Sequence, residues 1–469
     1  MTRDSEKGKY LSTEGSSSCE YWIAIACSLQ AFTLGCMIGW ISPSVIILSA
    51  SDSPIKTTIE GISNIAAALA IGHVLAPFVS SSMIDKLGRK KTLVLAGIPL
   101  IINWAMIYCA KDVWVLIAAR ILAGISFGAC ICAGPLYLGE IASAHRRGLI
   151  GSIGGVMLNI GILFSFIIVP NLSVSNTALV FLTISIIVEF LIYLLPESPY
   201  FLVMVGRDDD AEISLEKLRC CNDVSDELID IKSTIINSST MKSNNIINDI
   251  KKIFTINYNL RAFIITTIFV VPQQLGGYST ILIFSHVIFK DAGGKLISPE
   301  LCPIGVAITQ IISAGFTTIV FDKINRKKLI FYSGLIATIC DIIIAFYFFI
   351  IEKLNIDISN YSIVLLISTM ILVFAFNLGF TSMQMILIVE VYSTDIKATG
   401  ACMTSLIGGI LSIISFKMYL VVVESWNFGH SVPFMGFTIV TFLSTFALLY
   451  ATPETKGKTF VEIQRLLAK

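Results

Sequence analysis

Apolar residues in this chain run in long blocks separated by short polar stretches, and twelve blocks are long enough to cross a hydrocarbon core of about 30 Å. They predict helices over Tyr21–Leu48, Gly61–Met83, Thr92–Cys109, Val113–Leu138, Leu149–Val169, Ala178–Leu195, Ala262–Phe289, Leu301–Phe321, Leu329–Ile351, Ser362–Val391, Ala401–Val423 and Val432–Tyr450. Between the sixth and seventh blocks the pattern changes. Met204 to Tyr258 mixes acids and bases around apolar positions at helical spacing (Ile213, Leu215, Leu218; then Leu228, Ile231, Ile235), as in short amphipathic helices lying on a membrane face. The expected organisation is a tail (1–20), a six-helix bundle (21–203), linker helices (204–258), a second six-helix bundle (259–452) and a closing tail (453–469).

The two bundles repeat one another. Asp85-Lys86-Leu87-Gly88-Arg89-Lys90-Lys91, between the second and third blocks, returns as Asp322-Lys323-Ile324-Asn325-Arg326-Lys327-Lys328 between the eighth and ninth. Glu140 with Arg147 closes the fourth block, and Glu390 with Lys397 the tenth. Pro196-Glu197-Ser198-Pro199 follows the sixth, and Pro453-Glu454-Thr455-Lys456-Gly457 the twelfth. The offsets of 237, 250 and 257 residues are those of a duplicated unit with loop insertions. Two like halves of six spans suit a transporter in which one half rocks against the other around a central site.

Composition removes the other classes. Hydrophobic residues make up 55% of the chain and charged residues 14%, with a mean hydropathy of +0.82, too much apolar surface for one soluble core. This is an all-α polytopic membrane protein. A net charge of +1 leaves no basic excess for nucleic acid. The 11 cysteines form no Cys-x-x-Cys pair or zinc-spaced cluster, so neither a metal nor a disulfide framework is expected, and Cys220-Cys221 reads as a pair of cytosolic thiols. His73, His145, His286 and His430 are dispersed and no nucleophile has an obvious base beside it, so the chain does not read as an enzyme and calls for no cofactor. The first 20 residues are polar and contain nothing like a cleavable signal. Lys and Arg concentrate in alternate loops (Lys86 to Lys91, Arg146, Arg147, Lys323 to Lys328, Lys397), which places both termini in the cytoplasm. The sequons at Asn171 and Asn360 then lie outside, close to the membrane.

The charges suggest a gate. Asp85 with Arg89, Glu140 with Arg147, and Arg120 are expected to pair at the cytoplasmic helix ends in one state and separate in another, with Asp322, Arg326, Glu390 and Lys397 as their counterparts. Gly35 with Gly39, and Gly124 with Gly128, allow close helix approach.

Taken together, these motifs resemble the sugar porters of the major facilitator superfamily, and most nearly the insect facilitated trehalose and hexose transporters. The resembling pieces include Gly39-Trp40-Ile41-Ser42-Pro43, Arg120-x3-Gly124-x3-Gly128, Pro135-x-Tyr137-x2-Glu140, Asn159-Ile160-Gly161, Pro196-Glu197-Ser198-Pro199, Gln273-Gln274-Leu275-x-Gly277, Glu390-Val391-Tyr392 and Pro453-Glu454-Thr455. The resemblance implies a small sugar substrate, bound by Gln273 and Gln274 with Ser279, Gln310 and Asn377, and a monomer in the plasma membrane. The chain departs from the family at Ser382 and Gln384, where two prolines fall, at Met385 for a Trp, and at Gly408-Gly409 for an Asn-Trp pair. Losing the prolines is expected to stiffen the span-ten break, and losing the aromatics to remove stacking surface. Ile41 stands where proton-driven relatives carry Asp, which implies facilitated diffusion. The alternatives are a non-transporting sugar sensor and a proton-coupled symporter that uses Asp341.

Overall fold

The structure is a computed structural model that describes residues 17–50, 53, 55–143, 146–221, 223–239, 246–295, 298–320, 324–392 and 396–454. Among these residues there is no strand. The first six long helices are α1 (Ser17–Ser49), α2 (Ile59–Leu87), α3 (Arg89–Tyr108), α4 (Val113–Ile141), α5 (Arg147–Ile168) and α6 (Val174–Leu194). Four short helices follow: α7 (Pro199–Met204), α8 (Asp208–Arg219), α9 (Ser225–Ser239) and α10 (Ile246–Thr255). The second half comprises α11 (Asn257–Leu275), α12 (Tyr278–Asp291), α13 (Cys302–Val320), α14 (Arg326–Glu352), α15 (Ser362–Phe376), α16 (Ser382–Val391), α17 (Lys397–Leu420) and α18 (Ser431–Ala451). Among the described residues, eleven helical stretches are long and apolar enough to cross a membrane, and Cys302–Thr317 is a shorter apolar one.

Two spans differ from their sequence pattern. The seventh is two helices, because Gly276 ends α11 and Gly277 takes φ +88°, a left-handed conformation that a side chain disfavours. The tenth keeps its irregularity without prolines: Asn377–Thr381 forms a π turn between α15 and α16. The wider turn supplies an irregularity at the place where the family's prolines would have given one.

Within the first half α2 packs on α4, α1 on α5, and α3 on α4 and α6; within the second, α14 packs on α15 and α18, and α11 on α17 and α18. The closest packing is made by glycine. A methyl group at Gly35 would stand 2.0 Å from the Leu158 carbonyl oxygen on α5, and one at Gly124 would stand 2.1 Å from that of Leu69 on α2, so both pairs of helices meet backbone to backbone. Trp40, Trp104 and Phe181 fill the first half, with ring centroids 6.3 and 4.8 Å apart in sequence. The halves meet where α1 packs on α12, α2 on α17 and α5 on α13.

One face of the bundle carries α7–α10 and is called here the linker face; the opposite one is the far face. Leu202, Ala211, Leu215, Val224, Leu228 and Ile231 give α7–α9 a small core of their own, while Ile213 points outward at 49% exposure. The linker is moored to the first half at Glu20. Its carboxylate accepts from the Ser143 N–H (2.6 Å) and from Arg146 Nη1 (3.1 Å), and lies 3.8 Å from Arg219 Nη1, which donates to the Ile141 carbonyl (2.9 Å). Beside it Cys19 and Cys220 form a disulfide, with Cα atoms 6.5 Å apart. Cys220 is thus not the free thiol expected. The pairing joins residues 201 positions apart and arises because α8 ends, in a left-handed residue, directly under the start of α1.

Candidate functional site

Two sets of polar residues stand out in this apolar bundle, one at the linker face and one at mid-depth. At the linker face Arg89, the first residue of α3, turns inward and is nearly buried. Its Nη2 and Nε donate to Glu140 Oε1 at 2.8 and 3.1 Å, its guanidinium lies over the Phe201 ring, and Ser198 Oγ donates to the other oxygen of Glu140. Glu197 Oε1 accepts the backbone N–H groups of Arg89 (3.0 Å) and Lys90 (2.9 Å), placing an anion at the start of α3, where free N–H groups and the helix dipole favour it. The second half repeats this device: Glu454 accepts the N–H groups of Arg326 (3.2 Å) and Lys327 (3.4 Å) at the start of α14.

The charges therefore come together with different partners from those expected. Arg89 takes Glu140, while Asp85 sits exposed on the last turn of α2; α3 begins only after the Gly88 turn, which aims Arg89 under α4. The residue of the Arg146-Arg147 pair that is seen to bind an acid is Arg146, to Glu20. The side chains of Arg147, Glu390 and Lys397, and the whole of Asp322, lie outside the described residues. Arg120 does not belong to this set. It lies twenty residues from Glu140 along one helix, or about 30 Å at 1.5 Å per residue. There it is fully buried, donates through Nη1 to the Met37 carbonyl (2.8 Å) and faces the Trp40 ring at 5.6 Å. Its Nε and Nη2 have no hydrogen-bond partner among the described residues.

At mid-depth the polar side chains gather in the second half around the α11–α12 break and the π turn. Gln273 Nε2 donates to Gln384 Oε1 (2.6 Å) and to the Phe380 carbonyl (3.2 Å), and Ser279 Oγ donates to the Gln273 carbonyl (2.9 Å). Tyr278 is the hub of a second group. Its hydroxyl donates to Asn377 Oδ1 (2.9 Å) and accepts from Gln310 Nε2 (3.2 Å), Asn377 Nδ2 donates to Ser313 Oγ (2.9 Å), and the ring stacks on Phe376 at 5.6 Å. Gln274 stands apart, accepting from Ser412 Oγ on α17 at 2.7 Å.

All five residues expected at the substrate site thus lie at or beside these elements, in three groups rather than one. Sequence reasoning missed Tyr278, whose only signal was its place directly after Gly276-Gly277; Gln384, which stands where the family has a proline, reads from the sequence as either an interhelical hydrogen-bonding residue or a ligand contact. An amide there gives Gln273 a partner; a proline would offer none from its side chain. Asp341, for which no partner was named, is fully buried on α14. It accepts from Thr441 Oγ1 (3.3 Å), and its Oδ1 lies 3.5 Å from where a Gly277 methyl would stand.

The chain matches the family described as "Sugar (and other) transporter" over residues 16–467. It is 27% identical over 444 residues to a facilitated trehalose transporter, Tret1, of Polypedilum vanderplanki, covering 94% of this chain and 86% of that one. To the Tret1 of Culex quinquefasciatus it is 28% identical over 451 residues, covering 94% and 84%. Among solved structures, the xylose transporter XylE of E. coli in a partially occluded inward-open conformation superposes with a TM-score of 0.77 at 17% identity, covering 94% of this chain and all of that one. XylE bound to 6-bromo-6-deoxy-D-glucose gives 0.74 at 20%, covering 96% and 99%. These relatives are transporters rather than enzymes. With two halves joined by a helical linker and the acid-capped helix starts repeated across the midpoint, the chain belongs to the sugar (and other) transporter family and has the major facilitator fold.

Proposed function

We propose that this chain carries a small sugar, trehalose or a hexose, down its gradient by alternating access, as a monomer in the plasma membrane with both termini and the linker in the cytoplasm. The observation that carries the reading is the mid-depth cluster of amides and hydroxyls at the α11–α12 break, with Gln273 and Gln384 facing one another and Tyr278 stacked on Phe376. Amides that donate and accept side by side suit a polyol, and the ring pair offers an apolar face for a sugar. The Arg89–Glu140 pair at the linker face serves as the gate in this reading, since breaking it costs a charge-assisted contact.

Uniport is favoured over proton coupling by the first half. Ile41 holds no proton, and Arg120 beside it turns to a carbonyl oxygen and an indole face rather than to a carboxylate. Asp341 favours the second reading, a symporter, because a buried carboxyl against the α11–α12 break is placed to feel the motion of α12. Uptake of radiolabelled mono- and disaccharides into reconstituted liposomes separates the two. Equal concentrations on both sides, with or without a pH gradient, are expected. Uphill accumulation abolished by Asp341→Asn would establish coupling instead, and no uptake of any sugar would leave the fold with a sensor's role.

A further inference from the structure

At the far face the two halves are held together by an imidazole that the transport reading does not use. His286 on α12 lies within hydrogen-bonding distance of α1: its Nδ1 is 2.9 Å from Ser42 Oγ, and its backbone N–H donates to the same oxygen at 3.2 Å. Ser285 Oγ is 3.0 Å from Ser42 Oγ, and the ring meets Phe166 of α5 edge to face at 5.0 Å. The side chain is 3% exposed, and Nε2 has no hydrogen-bond partner among the described residues. Ser42 and Phe166 belong to the first half and His286 to the second, so one ring bridges two helices of the opposite half.

The hydrogen-bond count suits a neutral ring. With its proton on Nε2, Nδ1 accepts from the Ser42 hydroxyl, while Ser42 accepts from the His286 N–H and from Ser285. A second proton forces Ser42 to reverse and leaves a charged ring, unpartnered at Nε2, among hydroxyls and a phenyl edge. Among the described residues, the helices packed against this site supply no counter-charge to it. α13 and α15 carry no charged residue; Glu20 on α1, Arg147 on α5 and Arg261 on α11 belong to the linker face. On α17, Tyr419 stacks on Phe284 and bonds to His430, and Lys417 lines a cavity of about 260 Å³ with Glu60. On α12 itself, Lys290 and Asp291 line a second cavity of about 180 Å³ with Glu424, and Asp291 lies 3.0 Å from His430 Nε2. That second imidazole fixes the end of α12 to its own half, between Asp291 and Tyr419, so α12 can leave α1 without leaving α17.

We infer that His286 is a proton-responsive latch on the far-face gate: the neutral ring holds α12 to α1, and protonation releases it, so that acid favours the conformation open at the far face. The inference rests on the transporter reading but is tested without sugar. Spin labels are introduced as a non-canonical amino acid at Asp112 and Leu354, both exposed at the far face in loops of opposite halves. Distances between them are then measured in the full chain in nanodiscs at about pH 7.5 and about pH 5, on either side of the ordinary imidazole value of about 6.5. Expected is a shift to longer distances at the acid pH in the unmodified chain, lost in His286→Gln or His286→Asn and retained in His430→Gln. Distances that do not change with pH, a shift that survives in both His286 variants, or a shift lost only in His430→Gln would each overturn the latch. If liposomes show no sugar flux yet the acid shift is present, the transport reading falls and the latch stands.

Discussion

Gln384 accepts a 2.6 Å hydrogen bond from Gln273, so the principal amide of the proposed site already has a side-chain partner. A sugar hydroxyl must replace this partner rather than fill an idle one. Gln273→Ala is expected to weaken apparent sugar affinity by roughly 2- to 10-fold, the value of a hydrogen bond worth about 0.5–1.5 kcal/mol. Gln384→Ala on top of it should add less than its effect alone, since the two share one bond. Apparent affinities from initial uptake rates of the two single variants and the double variant check this, and strict additivity would separate the residues.

Arg89→Ala is expected to change how fast the carrier turns over and not how it binds. The Arg89–Glu140 contact is a charge-assisted pair with side chains 6% and 13% exposed, and it lies at the linker face away from the amides. Removing one partner forfeits about 1.5–3 kcal/mol in the conformer that makes it. Slower or unbalanced exchange with unaltered binding in equilibrium measurements is the expected result; normal exchange would remove the gate from this pair.

Glu197→Ala and Glu454→Ala should destabilise the two halves alike. Each acid receives two N–H groups at a helix start, a placement worth roughly 0.3–1 kcal/mol, or somewhat more when partly buried. Thermal unfolding of the purified variants tests the equivalence. A loss confined to one half would show that the repeated sequence had kept its form but not its energetics.

The Cys19–Cys220 bond should appear as one cross-linked peptide in non-reducing digests. After reduction, alkylation should add two labels, and protease should cut the linker faster, because α8 then holds to α1 only through non-covalent contacts, the Arg219–Glu20 pair and the packing of Leu218 beside Ala24 and Cys27. Free thiols at both positions before reduction would exclude the bond.

The long apolar blocks and three charge motifs, each present in both halves, made the spans, the two halves and the helical linker legible. Apolar residues crossing lipid need no finer pattern, and this is why the span-ten break was legible only through the resemblance: a π turn such as Asn377–Thr381 leaves no periodicity to read. Partners across helices were lost for a related reason. Asp85 and Arg89 are four apart in sequence, yet the Gly88 turn between them ends one helix and begins another, so sequence spacing overstated their proximity. Gln273, Gln274, Ser279, Gln310 and Asn377 were found through resemblance; Tyr278, the hub of one group, and the pairing of Gln384 with Gln273 in another required coordinates.

The mooring at Glu20 bears on how the protein is made. Every residue in it, from Cys19 and Glu20 through Ser143 and Arg146 to Arg219, Cys220 and Glu227, precedes the first residue of the second half. The first six helices can therefore be fastened at both ends while α11–α18 are still untranslated. A ribosome emitting the chain from its N-terminus delivers a closed unit before the half that bears the clustered amides exists, and that later half inserts against a finished neighbour.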